Sequence, residues 1–483
     1  MSWRDGVVYQ VYPRSFADSD GDGFGDLEGI GRRLDHLQWL GVEAVWLSPV
    51  YPSPLADWGY DVSDYTAIDP QLGTLEQFDR LLADAHERGL HLLMDLVPCH
   101  TSIEHPWFRE HPDWYIWAPG DGSPNNWTSA FGGSAWERDA VSGRRYLHSF
   151  YPEQPDLDWH NPEVVAAVQG VIRFWIERGV DGFRLDAIDR LVKDPELRDD
   201  PPAHEPFGLP LLEHELGRDL RHSRNAPGTD RALAALRAAA GEDAFLVGEV
   251  YLPTVRAAPY LEHLDRLFVF ELLHAAWDAD SVRRAIESAV ALTGRPGAGP
   301  AWVLSNHDFG FLAHRFGREN DRAAAMLLLT LPGTAFVYQG DEIGMGNGPG
   351  AQPQRDRIGR DSFRHPMQWD SSPGAGFTTG DPWLPLVDQD VRNVADQRED
   401  PGSLLSLYRE LIALRRDMPV HFESITDVPG VVAYRRGDRL VAINLSAEPR
   451  PVPRGEVLLE TARGAVAHDG SLAPHAGAVL AVA

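Results

Sequence analysis

The stretch VDGFRLDAID, residues 180–189, places a guanidinium and a carboxylate inside an otherwise apolar segment. Residues two apart in a strand point to the same face, so Arg184 and Asp186 would share one side of a buried strand. Isolated charges in such a place are costly. The pair therefore indicates chemistry, provided that other reactive groups of the chain reach the same place.

Further polar residues stand at the ends of other apolar segments. Glu249 ends FLVGEV, Asp308 and His307 follow WVLSN, and His100 ends LLMDLVPCH, which also contains Asp95. Each residue alone fits a solvated loop or a buried ion pair equally well. Together they suit retaining cleavage of a glycosidic bond, which needs a carboxylate nucleophile near a protonated carboxylic acid. Metal-dependent hydrolysis is the rival, but no H-x-H or H-E-x-x-H spacing occurs at these segment ends.

A repeated pattern predicts how these residues are positioned. LDHLQWLGVEAVWLSPV, LLADAHERGLHLLMDLVPCH and VIRFWIERGVDGFRLDA each run from helical periodicity through a glycine into an apolar strand. Gly41, Gly89 and Gly179 stand where a helix end favours a left-handed residue. Five further strands are VVYQVYP, AFLVGEV, LFVFEL, AWVLSN and TAFVYQG. Eight such units predict an α/β fold, the (β/α)8 TIM barrel. An open doubly wound sheet is the alternative, but no G-x-G-x-x-G follows the first strand.

Irregular stretches divide the chain further. We expect a catalytic barrel from residues 1–100 and 163–417, with a loop insertion at about 341–400. An irregular subdomain, 101–162, is inserted after the third strand, and a second irregular stretch covers 193–229. Residues 418–483 alternate between short strands and turns, which predicts a small C-terminal antiparallel β-sandwich domain.

Composition narrows the partners. With 72 acidic and 44 basic residues, the formal charge is −28. Such a surface repels phosphate backbones and anionic lipids, so it favours a small neutral substrate over nucleic-acid or membrane partners. One cysteine, Cys99, and an N-terminus without a signal-peptide pattern suggest a cytoplasmic protein. We expect a monomer or a small homo-oligomer.

The motifs DLVPCH, GFRLDAI, GEVY and NHD occur in an order that resembles the α-amylase family, family 13 of the glycoside hydrolases. The resemblance covers essentially the whole chain. Within the family, GVVYQVYPRSF, QPDLDW and RHPMQWD resemble the branch of oligo-1,6-glucosidases, α-glucosidases and trehalose synthases. The resemblance implies Asp186 as nucleophile, Glu249 as general acid/base and Asp308 as the carboxylate that stabilises the distorted sugar.

The resemblance also implies contacts with the sugar. Arg184 would keep Asp186 ionised, and Arg364 would grip the terminal sugar together with Asp57. Arg360 stands near Arg364 in a similar context. The implied substrate-binding residues are Asp57, Tyr60, His100, Phe131, Phe150, Arg184, His307 and Arg364. For the two phenylalanines, plain core packing is an equally good interpretation.

Two positions depart from or refine the family pattern. Cys99 stands where the family usually has Asn, and a thiol is the poorer hydrogen-bonding group. Ala187, after the nucleophile, accompanies α-1,4 preference in relatives, and KDPELRDDPPAH resembles a loop that narrows the cleft. The resemblance therefore implies a retaining, exo-acting α-glucosidase for short substrates such as maltose, with some transglycosylation. The alternatives are a trehalose synthase, a sucrose- or isomaltose-acting enzyme of the same branch, or an inactive sugar-binding barrel.

The loop DSDGDGFGD spaces its acidic residues like the start of an EF-hand. Gly29 stands where an EF-hand has its bidentate Glu, so a true EF-hand is not expected. The family branch nevertheless implies one structural Ca²⁺ and no organic cofactor. Its implied ligands are Asp18, Asp20, Asp22, the Phe24 carbonyl and Asp26.

Overall fold

The computed structural model describes residues 2–203, 218–292, 294–426 and 428–482. Its first ten strands are β1 (Val7–Val11), β2 (Ala44–Leu47), β3 (His91–Leu96), β4 (Trp136–Arg138), β5 (Arg145–Leu147), β6 (Gly182–Leu185), β7 (Phe245–Gly248), β8 (Arg266–Phe268), β9 (Gly299–Trp302) and β10 (Thr334–Tyr338). Eight of them close a parallel barrel in the order β1-β2-β3-β6-β7-β8-β9-β10. The predicted barrel is confirmed, each strand from one of the eight apolar segments.

Helices surround this barrel. They are α1 (Leu27–Leu40), α2 (Leu75–Glu87), α3 (Pro106–Glu110), α4 (Pro162–Glu177), α5 (Thr229–Ala240), α6 (Thr254–Ala257), α7 (Phe270–His274), α8 (Ala279–Val290), α9 (Leu312–Phe316), α10 (Asp321–Thr330), α11 (Val394–Glu399) and α12 (Leu404–Arg416). Gly41 ends α1 with φ 93°, the left-handed conformation predicted there. Within the described ranges, no helix combines the length and the apolar character needed to cross a membrane.

The strand register brings charged residues together. Asp95 on β3 is the direct neighbour of Arg184 on β6, and Leu185 is the neighbour of Gly248 on β7. Because all eight strands are parallel, their carboxyl ends meet at one rim. Asp186 and Glu249, one residue beyond β6 and β7, therefore stand side by side at that rim.

Two insertions rise above the rim. The first holds α3, the antiparallel pair β4 and β5, and a small core of Ala118, Trp127, Ala135, Trp136 and Leu147. We call it the subdomain. The second follows β10 and contains α11. The stretch after β6 packs on the subdomain, with the Asn126 side chain donating to the Asp200 carbonyl at 2.9 Å. His204, which ends KDPELRDDPPAH, and residues 205–217 lie outside the described residues.

The C-terminal region forms an antiparallel domain. It contains β11 (Glu423–Ile425), β12 (Val431–Arg436), β13 (Arg439–Asn444), β14 (Arg450–Pro451), β15 (Glu456–Glu460), β16 (Ser471–Leu472) and β17 (Gly477–Ala481). Where a sandwich was expected, one five-stranded sheet, β11-β12-β13-β17-β15, is accompanied by a two-stranded ribbon of β14 and β16. One sheet face carries Val432, Tyr434 and Val441 into the main core. Tyr434 and Thr330 of α10 share a 2.5 Å hydrogen bond across this boundary.

Candidate active site

A cavity of about 640 Å³, partly open to solvent, lies at the carboxyl-terminal rim of the barrel. Barrel enzymes build their sites on this face. Its lining residues are Asp57, Tyr60, His100, Phe131, Phe150, Asp186, Arg190, Glu249, Tyr251, Asp308, Phe309, Ile358 and Arg360. Most of the side chains predicted from the sequence to meet the substrate therefore share one cavity.

Arg184 lies beneath the cavity floor and joins the two main carboxylates. Its Nη1 is 2.6 Å from Asp186 Oδ1 and 2.8 Å from Asp95 Oδ1, and its Nη2 is 2.6 Å from Glu249 Oε1. The guanidinium is 1% exposed, so these contacts are made without water. Because one planar fork holds both Asp186 and Glu249, the two carboxylates face the same small space, as the retaining mechanism requires.

Burial and charge separate the two carboxylates. Burial raises the pKa of Asp186 to about 7, against the lowering effect of Arg184. Burial raises the pKa of Glu249 to about 8; Arg184 lowers this pKa, while Asp186 and Asp308 raise it. Glu249 is thus the group that keeps its proton at neutral pH. Arg184 acts in the direction expected from the sequence, but burial is the larger effect on Asp186.

The pKa of Asp308 is shifted in the opposite direction from those of Asp186 and Glu249. Although burial raises its pKa, His307, Arg360 and Arg364 outweigh burial and bring the pKa well below the usual range. Arg360 Nη1 donates to Asp308 Oδ1 at 2.8 Å, and His307 Nε2 lies 3.1 Å from Asp308 Oδ2. This third carboxylate is therefore the one that stays ionised throughout the neutral range.

The backbone directly after Asp186 positions Glu249. Ala187 adopts φ 45°, a left-handed conformation that costs a non-glycine residue about 1–3 kcal/mol. In this conformation its N–H donates to Glu249 Oε2 at 3.0 Å. The Tyr251 hydroxyl donates to Glu249 Oε1 at 3.3 Å. The Ala187 methyl packs in a small cluster with Ala130 and Phe150, against which Phe131 also packs.

Asp57 also lines the cavity, and Arg360 links it to Asp308. The Oδ2 atom of Asp57 accepts a 3.0 Å hydrogen bond from Gln154, and its Oδ1 pairs with Arg360. Burial raises the pKa of Asp57 to about 6, while Arg360 lowers it. Tyr60 lies beside it, with its ring stacked on His307 at 5.3 Å and its hydroxyl donating to Asp95.

The structure corrects one assignment. Arg364 was expected to grip the sugar together with Asp57, but Arg360 makes that contact and lines the cavity. Arg364 is fully buried behind it, and its Nε donates to the His307 carbonyl at 2.9 Å. Within the loop after β10, the 3-10 turn at Arg360–Phe363 turns Arg360 towards the cavity and places Arg364 beyond its end.

His307 and His100 occupy different positions. His307 is completely buried, with Nδ1 2.7 Å from the Gln10 amide and Nε2 2.6 Å from the Tyr60 hydroxyl, so it supports the sugar contacts rather than lining the cavity. His100 lines the cavity. Burial lowers its pKa to about 4, so the ring is neutral. The preceding Cys99 donates its thiol to the Arg190 carbonyl at 3.3 Å, which gives this unusual residue a structural partner.

Several residues at the site were not singled out from the sequence. Gln154, Arg190 and Tyr251 touch or line the cavity, and Arg360 was noticed only as a neighbour of Arg364. Gln154 begins the motif QPDLDW and Tyr251 ends GEVY, so both residues could have been predicted from motifs that the sequence analysis had already identified.

The acidic loop brings part of the predicted metal set together. Carboxylate oxygens of Asp18, Asp20 and Asp22 lie within 4.8 Å of one another. Hard oxygen ligands of this kind suit Ca²⁺, so these three residues fit the implied ion. Phe24 donates its N–H to Asp22 at 2.8 Å. Asp26, also expected as a ligand, is not part of this cluster, and its two oxygens accept the N–H groups of Gly29 and Ser19, so that it caps α1.

Comparisons with known proteins agree with this geometry. A family model described as the catalytic domain of α-amylase matches residues 10–423. A probable α-glucosidase of Rhizobium meliloti (strain 1021) is 40% identical over 466 aligned residues, with 86% of this chain and 83% of the relative covered. The oligo-1,6-glucosidase of Parageobacillus thermoglucosidasius is 37% identical over 522 residues, covering 94% and 92%.

Two solved structures extend the comparison. The α-glucosyl transfer enzyme XgtA superposes with a TM-score of 0.90 at 36% identity, covering 99% of each chain. The trehalulose synthase MutB from Pseudomonas mesoacidophila MX-45 superposes with a TM-score of 0.89 at 33% identity, covering 100% of this chain and 99% of that one. With a matching model across most of its length and relatives well above 30% identity, the chain belongs to the α-amylase family of glycoside hydrolases.

Proposed function

We propose that the protein is a retaining, exo-acting α-glucosidase that hydrolyses terminal α-1,4 bonds of short oligosaccharides such as maltose. One observation carries the proposal: a single buried guanidinium holds Asp186 and Glu249 side by side at the floor of the cavity, with the higher pKa on Glu249. That is the charge arrangement of a nucleophile and a general acid.

In the first step, Asp186 attacks the anomeric carbon while Glu249 gives its proton to the leaving oxygen. The glycosidic bond breaks, a covalent bond to Asp186 forms, and the shortened sugar leaves with the proton. The ionised Asp308 faces the same space and stabilises the positive charge that develops on the sugar ring.

In the second step, Glu249, now a carboxylate, removes a proton from water, which attacks the anomeric carbon and releases Asp186. The released sugar keeps its α configuration because the carbon is inverted twice. When a sugar hydroxyl takes the place of water, the product is a longer oligosaccharide. The similarity to a glucosyl transfer enzyme and a trehalulose synthase supports transfer as a second activity of this site.

Exo action is supported by Asp57, which lines the cavity and is held there by Arg360 and Gln154, so that its carboxylate can accept hydrogen bonds from the hydroxyl groups of a terminal sugar. The α-1,4 preference is proposed from Ala187, the residue that accompanies this preference in the family branch, and its methyl packs against Phe150, which lines the cavity. A net charge of −28 favours a neutral substrate over an anionic one.

Product analysis tests the proposal. Purified protein is incubated with maltose, isomaltose, sucrose and maltotriose, and products are followed by chromatography and by NMR of the fresh anomer. We expect α-glucose from maltose and from the non-reducing end of maltotriose, and at least about a 10⁴-fold loss in the Asp186→Asn variant. Trehalose or isomerised sucrose without net glucose would overturn the hydrolytic assignment. Unchanged turnover in Asp186→Asn would overturn the mechanism.

We also propose one structural Ca²⁺ at Asp18, Asp20 and Asp22, supported by their oxygen cluster. The ion would tie the loop before α1 to itself, and it has no part in the chemistry. Calcium should raise the thermal midpoint of the EDTA-treated protein, whereas Asp20→Asn should not respond. Equal midpoints with calcium and EDTA in the wild type would refute the site.

A cytoplasmic location and a monomeric or small homo-oligomeric state complete the proposal. The single cysteine supports a reducing compartment, because no intramolecular disulfide can form. Cell fractionation and size-exclusion chromatography with light scattering test these two statements.

A further inference from the structure

The cavity is covered on one side by two segments that belong to different insertions. Tyr151 and Glu153 come from the subdomain, and Arg357 comes from the loop after β10. Arg357 and Glu153 form a two-pronged ion pair, with Nη1–Oε2 and Nη2–Oε1 distances of 2.9 and 2.8 Å. We call this ion pair the clasp.

Aromatic contacts connect the clasp to the wall of the cavity. The Arg357 guanidinium lies 4.8 Å from the centre of the Tyr151 ring, and that ring lies 4.3 Å from the ring of Phe131. Phe131 lines the cavity, as does Ile358, the residue after Arg357. A contact at the surface is thus connected to the cavity through two rings that pack against each other at an angle of 34°.

Both ends of the clasp are adjacent in sequence to groups that hold Asp57. Glu153 precedes Gln154, which donates to Asp57 Oδ2. Arg357 lies in the same turn as Arg360, which pairs with Asp57 Oδ1. The Asp356 carboxylate ties this turn together by accepting the N–H groups of Ile358 and Arg360 and two guanidinium N–H bonds of Arg360.

We infer that Glu153 and Arg357 are positioning residues for the terminal sugar: their ion pair locks the loop after β10 onto the subdomain and thereby sets the width of the subsite formed by Asp57 and Arg360. The inference rests on the proposed function and adds to it a specificity determinant outside the cavity. The clasp does not touch the reacting atoms, so it acts on substrate binding rather than on the bond-breaking step.

The expected effects follow from the exposure of the clasp. Its side chains are 48% and 36% exposed, so an isolated pair of this kind is worth little, about a two- to fivefold effect. Glu153→Gln should therefore raise KM for maltose about two- to fivefold. Arg357→Gln also loses the contact with Tyr151 and should raise KM more, about five- to tenfold. In both variants kcat should stay within about twofold, because binding lost equally from substrate and transition state changes KM alone.

Matched controls are present in the chain. Arg178 and Asp79 form a similar two-pronged pair between the outer helices, at 2.8 and 3.1 Å, so Arg178→Gln removes an equivalent surface pair away from the cavity. Arg88→Gln removes a second surface contact, from Arg88 Nε to Asp35 Oδ1 at 2.8 Å, and neither residue lines the cavity. Both controls should keep the wild-type KM.

The experiment measures kcat and KM for maltose in the wild type, the two clasp variants, the two controls and the charge-exchanged pair Glu153→Arg with Arg357→Glu. The exchanged pair should recover part of the KM loss. Rising NaCl, up to about 0.5 M, should raise KM of the wild type and of Arg178→Gln, but not of the clasp variants. D-glucose affinity, read from tryptophan fluorescence, should weaken in parallel with KM.

Unchanged KM and glucose affinity in both clasp variants would overturn the inference, and so would an equal change in Arg178→Gln. A fall in kcat at constant KM would also overturn it. A failure of the proposed function can be distinguished from a failure of this inference, because the wild-type protein would then convert a disaccharide other than maltose. The clasp comparison is then made with that disaccharide and with the same glucose titration.

Discussion

Replacing Arg184 with methionine removes the cation shared by three buried carboxylates. In the wild type, kcat/KM should follow a bell, falling below pH 7 as Asp186 takes up a proton and above pH 8 as Glu249 loses one. Arg184 lowers the pKa of both groups, so without it both limbs of the bell should move to higher pH. The sign is the same on each side, because both pKa values rise.

The size of the shift can be worked from the contacts. Removing one partner of a buried charge pair costs about 3–5 kcal/mol. Arg184 divides its contacts among Asp95, Asp186 and Glu249 at 2.6–2.8 Å, so each carboxylate loses about 1–1.7 kcal/mol. At 1.36 kcal/mol per pKa unit, the bell should move up by about one pH unit, and kcat/KM on its acid side should fall about tenfold for this reason alone.

The assay is the pH dependence of kcat/KM for maltose from about pH 5 to 10. Arg184→Lys is the companion variant, since it keeps a charge but lacks the fork that reaches both Asp186 and Glu249. It should show a smaller shift, and thermal unfolding checks that both variants fold. A bell that keeps its position and only loses height would refute the reasoning, because it would mean that Arg184 acts through geometry and not through charge.

Three further outcomes are expected. Glu249→Gln should raise the thermal midpoint at pH 8–9 by about 2 °C or more. The wild-type carboxyl releases its proton more readily in the unfolded chain, so the stability advantage of the variant grows from about pH 4.5 to about 8 and vanishes below that range. Equal midpoints of the variant and the wild type across this range would contradict the prediction. Arg360→Met should lower kcat/KM about 100-fold or more, because Asp57 and Asp308 lose their shared cation. Arg364→Met should mainly lower the thermal midpoint. A larger loss of kcat/KM in Arg364→Met than in Arg360→Met would restore the original assignment of Arg364. Cys99→Asn should leave kcat/KM within about threefold of the wild-type value. An amide can replace the thiol as hydrogen-bond donor to the Arg190 carbonyl, with little net change in free energy. A larger change in kcat/KM would show that His100 depends on the residue at position 99.

The sequence was most informative where one physical cause decides a residue's place. Asp186 and Glu249 each follow an apolar run that can only be a buried parallel strand, so their position at one rim followed from the strand pattern. The shared contact with Arg184 required only that β6 and β7 be neighbours. The barrel and its catalytic rim could thus be predicted from periodicity and motif order.

The roles of side chains in loops, and of side chains with two competing local roles, were less predictable from the sequence. Arg360 and Arg364 are four residues apart in a loop without periodicity, and the turn that separates them is held by Asp356, whose role depends on tertiary contacts. Asp26 has the spacing of a metal ligand and the position of a helix cap, and the cap geometry decided between them. For His307, the motif predicted its position at the rim but not its complete burial, since the contact with Gln10 comes from β1, two strands away around the barrel.

The place of β17 in the C-terminal sheet has a consequence for biosynthesis. This strand, at residues 477–481, lies between β13 and β15, which precede it in the chain and do not pair with each other. Until β17 has left the ribosome, both neighbours keep free backbone edges, and the apolar surface of α10 stays partly uncovered. Closure of this sheet therefore waits until residues 477–481 have been synthesised, and nascent chains stalled before residue 477 should bind chaperones.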